Sequence, residues 1–251
     1  MDALLVERGF ADDLRVARGL LMAGRVMITE PNRGERKIEK AGEPVDVASS
    51  LRLVNDHRRF VSRAGDKLDG ALDAFGLDVN GLTIVDLGLS TGGFTDCLLT
   101  RGVARVHGVD LAQGIVDWKL RTDDRLVLHE RTDARTVTRE ALGIEPDGSD
   151  RVDGVTIDVS LVSLTDILGA AAGLLDPGGF VVALIKPQYE VLPSVLVDGI
   201  VEDDAARAAA IDEVTAFAGS VGLDAQSVVA SSVRGTKGNQ EHLAHFVRRA
   251  P

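Results

Sequence analysis

From residue 64 onward the chain alternates short runs rich in Val, Ile and Leu with longer stretches of helical spacing. This rhythm constrains the fold more than any other feature of the 251-residue sequence. The strand-like runs are LTIVDLG, ARVHGVD, RLVLHE, VDGVTIDV, GFVVALIKP, AQSVVASSV and HLAHFVRR, and helices are predicted near 66–76, 92–101, 112–121, 160–175 and 203–220. Strands separated by helices pair in parallel, so the pattern predicts an α/β fold: a seven-stranded, mostly parallel sheet with helices on both faces. Ligands of such sheets bind outside the carboxyl ends of the strands, beside the point where strand order reverses.

The first quarter of the chain follows another rule. LLVERGFADDLRVARGLLMAGRVMI reads as two short helices, broken at Gly9 and closed by Gly24, and RVMIT reads as a strand. A polar turn, PNRGERK, follows, and GEPVDVA is expected to return as a second strand. We therefore expect a small α+β domain at 1–59, a linker at 60–63 within HRRFVSR, and the larger domain at 64–251.

Charge separates the two parts. The whole chain carries −11, which argues against a polyanionic partner, but residues 1–63 hold 12 Lys+Arg against 10 Asp+Glu and leave the remainder at −13. RNA contacts are expected in the N-terminal quarter, where Arg15, Arg18 and Arg25 offer groups that pair with phosphate and stack on bases; Arg63 at the junction joins them. No apolar run has the length of a membrane span and the start, MDALLVERGF, lacks a basic lead and an apolar core, so a cytoplasmic protein is expected. The single cysteine, Cys97, precludes an internal disulfide and is expected to be a small core residue.

The stretch DLGLSTGGFTDCLL, residues 86–99, falls where the first strand of the sheet turns into a helix. Gly88 permits a tight turn, Gly92 and Gly93 let a ligand approach bare backbone, Ser90 or Thr91 caps the helix, and Phe94 follows. The wording differs from the G-x-G-x-x-G of nicotinamide sites and from phosphate loops, which need Lys-Ser/Thr. An acid at Asp86 suits a ligand with an ammonium group, and Asp110, ending VHGVD, suits the hydroxyls of a ribose. S-adenosylmethionine satisfies both, with Asp133 in RTDART placed toward the adenine; Trp118 in DWKLR either packs beside the cofactor or has a plain packing role.

Four further polar residues stand at strand ends or beside them: Lys67 in SRAGDKL, Asp158 in TIDVS, Lys186 in LIKPQYE and Glu241 in GNQEHL. A lysine closing the apolar run FVVALI is costly to hold there without partners. With them in view, SRAGDKL, DLGLSTGGFTDCLL, DWKLR, IDVSLVSL, LIKPQYE and RGTKGNQEHL resemble, in wording and order, the successive signatures of the TlyA family. That family comprises ribosomal RNA 2′-O-ribose methyltransferases, some with a hemolysin label, and the resemblance spans nearly the whole chain.

The resemblance implies an S-adenosylmethionine-dependent rRNA (cytidine-2′-O)-methyltransferase with a Rossmann-like class I, FtsJ-like catalytic domain behind an S4-like RNA-binding domain. It implies that Lys67, Asp158, Lys186 and Glu241 form a Lys-Asp-Lys-Glu tetrad, that ribosomal RNA or a ribosomal subunit is the partner, and that no metal is required. Lys186 would take the proton of the 2′-hydroxyl or, remaining charged, stabilise the developing alkoxide.

The chain departs from the family in two places. Asp13-Leu14 stands where a Ser-Arg step would face RNA, and VLPSVLVDGIVEDD, after Lys186, contains no Lys or Arg. Two other readings compete with the enzyme: a non-catalytic ribosome-assembly factor, which loss of a tetrad residue would favour, and a membrane-active hemolysin, which lacks a basic amphipathic helix.

Overall fold

A computed structural model of the chain describes residues 1–22, 24–30, 34–38, 40, 42–53, 59–145 and 151–250. Chain packing divides it into two units, Met1–Arg58 with Asp117–Lys119, and Arg59–Val116 with Leu120–Pro251.

In the first unit, helices α1 (Asp2–Glu7) and α2 (Leu14–Met22) precede strands β1 (Val26–Glu30), β2 (Gly34–Ile38) and β3 (Ser50–Leu53). The strands form an antiparallel sheet with β1 in the middle. Leu5, Ala17, Leu21, Val26, Ile28 and Ile38 make its core. Asp13 caps α2 by accepting the Val16 N–H at 2.8 Å, so the residue that departs from the family pattern starts the helix. The expected second strand is corrected. Residues 42–48 form no strand because Asp46 folds them into a turn, accepting the N–H of Ala48 on its side chain and of Ser49 on its carbonyl. The pairing strand is instead GERKI, a polar edge whose only buried residue is Ile38.

The second unit holds α3 (Arg63–Phe75), β4 (Thr83–Leu87), α4 (Gly93–Thr100), β5 (Arg105–Asp110), the end of α5 (Trp118–Arg121), whose first two residues count with the first unit, β6 (Leu126–Glu130) and β7 (Gly154–Ile157). Then follow α6 (Leu168–Leu174), β8 (Phe180–Ile185), α7 (Pro187–Glu190), α8 (Asp204–Ser220), β9 (Leu223–Ala230) and β10 (His242–Arg248). The strands order as β6-β5-β4-β7-β8-β10-β9, and β10 alone runs against its neighbours. All seven expected strands are present. On β8, Val181, Ala183 and Ile185 join one core while Val182 and Leu184 join another, the signature of a sheet buried on both faces.

Residues 60–63 are part of this unit and not a free linker: Phe60 is buried in its core and the Ser62 side chain caps α3. The helix expected at 112–121 shrinks to Trp118–Arg121, because Gly114 turns at φ +77 and gives its N–H to Glu130. The one at 160–175 is interrupted: Leu161 sits at φ +69, a 3₁₀ turn covers Leu164–Asp166, and α6 begins at Leu168. No helix among the described residues is long and apolar enough to cross a membrane.

Candidate active site

Strand order reverses beside β4, with β5 on one side and β7 on the other, and the carboxyl ends of these strands with β8 carry the polar residues. At Gly88 the backbone turns at φ +88, and a Cβ there would lie 2.6 Å from the Asp158 carbonyl oxygen. Glycine thus lets the ends of β4 and β7 close on each other. Ser90 follows at φ +50 and donates its N–H to Asp110 Oδ2 at 2.7 Å, while Ala112 N–H reaches Oδ1 at 2.7 Å. These bonds fix the Asp110 carboxylate and leave it lone pairs for two hydroxyls.

A cavity of about 390 Å³ opens here, walled by Gly88, Ser90, Asp110, Asp133 and the apolar Ile115 and Val162. Asp133 is clasped by Arg135, whose hydrogen bonds hold its carboxyl below the usual range. Trp118 is not among the lining residues.

Asp86 corrects the sequence reading. It is fully buried, lines no cavity of this site, and accepts from Thr95 Oγ1 at 2.7 Å and Thr156 Oγ1 at 2.8 Å. Burial pushes its carboxyl up to about 6, against the two hydroxyl bonds. It braces β4, β7 and α4 beneath the turn, with both carboxylate oxygens engaged by the two threonines. Gly92, Gly93 and Phe94 likewise work from below: Phe94 is core, and a Cβ on Gly93 would strike the Ser62 hydroxyl at 2.1 Å. Cys97 is core as expected, its thiol pushed up to about 12 by burial first and the Asp69 carboxylate second.

A second cleft, about 690 Å³, shares Ser90, Asp158 and Ser160 with the first. Lys67, Asp158, Lys186 and Glu241 all line it. They form two pairs. Lys186, 8% exposed at the end of β8, gives its ammonium to Asp158 Oδ1 at 2.7 Å, the Val159 carbonyl at 2.7 Å and Ser160 Oγ at 2.9 Å. That uses all three donors. Lys67, one turn into α3, pairs with Glu241, which is 3% exposed.

The sequence reading missed three residues at or behind the cleft: Asn239 and Ser160, which line it, and Glu190, which does not. Buried Asn239 accepts the Val201 N–H and donates to the Gly199 carbonyl, both at 2.9 Å, pinning the segment after Lys186 beside Glu241. The quoted motifs RGTKGNQEHL, IDVSLVSL and LIKPQYE contain all three, but only folding gives them partners.

Of the expected RNA contacts, Arg63 is exposed and lines the second cleft. Arg15 and Arg18 are exposed on α2, Arg15 at 3.9 Å from Asp13 and Arg18 at 2.7 Å from Asp2. Arg25 stands apart: it enters β1 half-buried, its Nε enclosed and without a hydrogen-bond partner among the described residues.

Comparison with known proteins matches residues 60–248 to the FtsJ-like methyltransferase family. The 16S/23S rRNA (cytidine-2′-O)-methyltransferase TlyA of Mycobacterium tuberculosis is 39% identical over 244 residues, covering 97% of this chain and 87% of that protein. Hemolysin A of Brachyspira hyodysenteriae is 32% identical over 98% of this chain and 99% of its own length. A solved structure of a hemolysin-named protein from Streptococcus thermophilus superposes with a TM-score of 0.72 at 35% identity, covering 99% of this chain and 87% of that one.

Proposed function

The chain belongs to the FtsJ-like methyltransferases and, among them, to the TlyA family; from that premise we propose that it methylates a ribose 2′-hydroxyl of ribosomal RNA. The observation that carries this reading is the convergence of two buried ion pairs, Lys186–Asp158 and Lys67–Glu241, on a cleft that shares a wall with a second, narrower cavity.

S-adenosylmethionine is the methyl donor, and when bound it supplies a sulfonium-activated methyl group. The narrower cavity suits it: Asp110 for the ribose hydroxyls, Ile115 and Val162 for the flat face of the base, Asp133 and Arg135 at the far wall, and open backbone at Gly88 and Ser90. Asp158 and Ser160 belong to both cavities, which aligns a methyl group in one with a hydroxyl in the other.

The remaining work falls to the protein's own groups. A ribose hydroxyl is a weak nucleophile, so it must be oriented and relieved of its proton. Lys186 is the group that meets it, and the exposed Ser160 hydroxyl is the partner a substrate hydroxyl replaces. Asp158 fixes Lys186, and Glu241 fixes Lys67 beside it. As a neutral amine, Lys186 accepts the proton; as an ammonium, it stabilises the developing oxyanion.

Exposed Arg15 and Arg18 on the N-terminal unit, with Arg63 at the cleft, serve as RNA contacts, and the N-terminal unit acts as an S4-like anchor. A ribosomal subunit is then the partner and the cytoplasm the place of action. Nuclease mapping of RNA methylated in vitro tests the reading: label on a ribose supports it, and label confined to bases contradicts it.

A further inference from the structure

Glu190 ends α7, four residues after Lys186, and reaches across to the segment that follows β7. Its Oε2 accepts the Ser163 hydroxyl at 2.5 Å and its Oε1 accepts the Leu164 N–H at 3.0 Å. No cation pairs with it among the described residues. The partners are specific: Ser163 caps the 3₁₀ turn Leu164–Asp166, and Leu164 is buried in the core.

The same segment, five residues earlier, supplies everything that holds Lys186: the Asp158 carboxylate, the Val159 carbonyl and the Ser160 hydroxyl. Between the two grips lies Leu161, 83% exposed at φ +69. A leucine in the left-handed region is strained and persists only where its surroundings over-determine it. The stretch 158–164 is therefore an arch held at one foot by Lys186 and at the other by Glu190, and both anchors come from the short piece of chain at the end of β8.

We propose that Glu190 is a positioning residue for methyl transfer, locking the far foot of the 158–164 arch so that Asp158, Val159 and Ser160 present Lys186 to the substrate hydroxyl. The proposal rests on the function assigned above but names a residue outside the four that line the chemistry. Glu190 needs its charge to do this, because a carboxylate accepts strongly on both oxygens whereas the protonated acid accepts weakly and brings a donor of its own.

Burial, opposed by the Ser163 and Leu164 bonds, raises the Glu190 carboxyl above the ordinary glutamate range, and Glu213 on α8 and Asp166 in the 3₁₀ turn add to the rise. Protonation of Glu190 therefore loosens the arch. Activity should show an acid limb that belongs to Glu190.

The test uses the full-length protein with Glu190→Gln and Glu190→Ala. Hydrogen exchange by mass spectrometry reads the arch independently of activity. Glu190→Ala should speed exchange across residues 158–166 by about tenfold or more while leaving β4 protected. Equal exchange in this segment would overturn the clamp, even if the protein proved to methylate something other than RNA.

With ribosomal subunits as substrate, Glu190→Ala should lower kcat by about tenfold or more, with the Kd for S-adenosylmethionine within about twofold of wild type. Glu190→Gln, which keeps an acceptor for Leu164, should retain more activity and lose the acid limb. An unchanged acid limb in Glu190→Gln, or an unchanged kcat in Glu190→Ala, would overturn the positioning role.

Discussion

Lys186 and Asp158 follow adjacent parallel strands, β8 and β7, and their Nζ and Oδ1 atoms stand 2.7 Å apart at the mouth of a cleft. The pair explains how a lysine can close a six-residue strand that is buried throughout. Its ammonium finds a carboxylate, a carbonyl and a hydroxyl before it meets any apolar surface.

Removing the Lys186 amine should stop the chemistry and spare the cofactor. Lys186→Ala is expected to lower kcat by about a thousandfold, the middle of the range for loss of a proton-transfer group, while the Kd for S-adenosylmethionine stays within a few-fold. Isothermal titration and single-turnover assays on the same preparation check the split. Weakened cofactor binding with a preserved rate would assign Lys186 to the wrong cavity.

Asp110 should behave in the opposite way. Its carboxylate is pre-oriented by Ser90 and Ala112, and losing charge-assisted bonds to two hydroxyls should weaken S-adenosylmethionine by about 10- to 100-fold in Asp110→Ala. Thermal shift against cofactor concentration reads this directly. An unaltered shift would remove Asp110 from the binding set.

Lys67 and Glu241 are almost wholly buried, so breaking the pair has a structural cost separate from catalysis. Lys67→Ala leaves the Glu241 charge unpaired and should destabilise the protein by about 3 kcal/mol. Lys67→Met with Glu241→Gln should restore stability to within about 1 kcal/mol yet remain inactive. Denaturant unfolding with an activity assay on the double variant distinguishes a structural pair from a functional one; recovery of activity would make it structural only.

Asp86 gives a pH-dependent stability. Its folded carboxyl stands at about 6 against 3.8 for the free group, so the stability it contributes is fully present below 3.8 and is lost as pH rises through about 6. A shift of about two units corresponds to about 3 kcal/mol. Asp86→Asn cannot titrate, so it should gain on wild type by roughly that amount between about pH 4 and about pH 7 in denaturant unfolding. Parallel stability curves would contradict the burial argument.

The α/β half of the molecule was legible because its central strands are buried on both faces: FVVALI is fully buried and reads as a strand in any context. GERKI was not, since an edge strand with one buried residue has no apolar period and pairs only because β1 is beside it. The Gly-rich turn pointed to a stretch whose Gly88 and Ser90 line a cavity, but sequence alone treats Asp86 and Asp110 alike. Asp86 lies one residue before the end of its strand and faces the interior, where Thr95 and Thr156 meet it, while Asp110 is the last residue of β5 and opens to a cavity. The four residues of the proposed tetrad were visible as charges out of place. Their pairing, Lys186 with Asp158 and Lys67 with Glu241 across 174 positions, comes from topology. Asn239 and Glu190 carry no sequence signal apart from their motifs, since Asn239 holds backbone and Glu190 holds a backbone N–H and a serine hydroxyl that only folding brings to it.

The most direct test of the account is transfer of a tritiated methyl group from S-adenosylmethionine to isolated ribosomal subunits, by wild type and Lys186→Ala in parallel, with the product digested to separate ribose from base methylation. The account predicts ribose label from the wild type and background from the variant. Equal label from both proteins, or no ribose label from a wild type that binds S-adenosylmethionine, would contradict it.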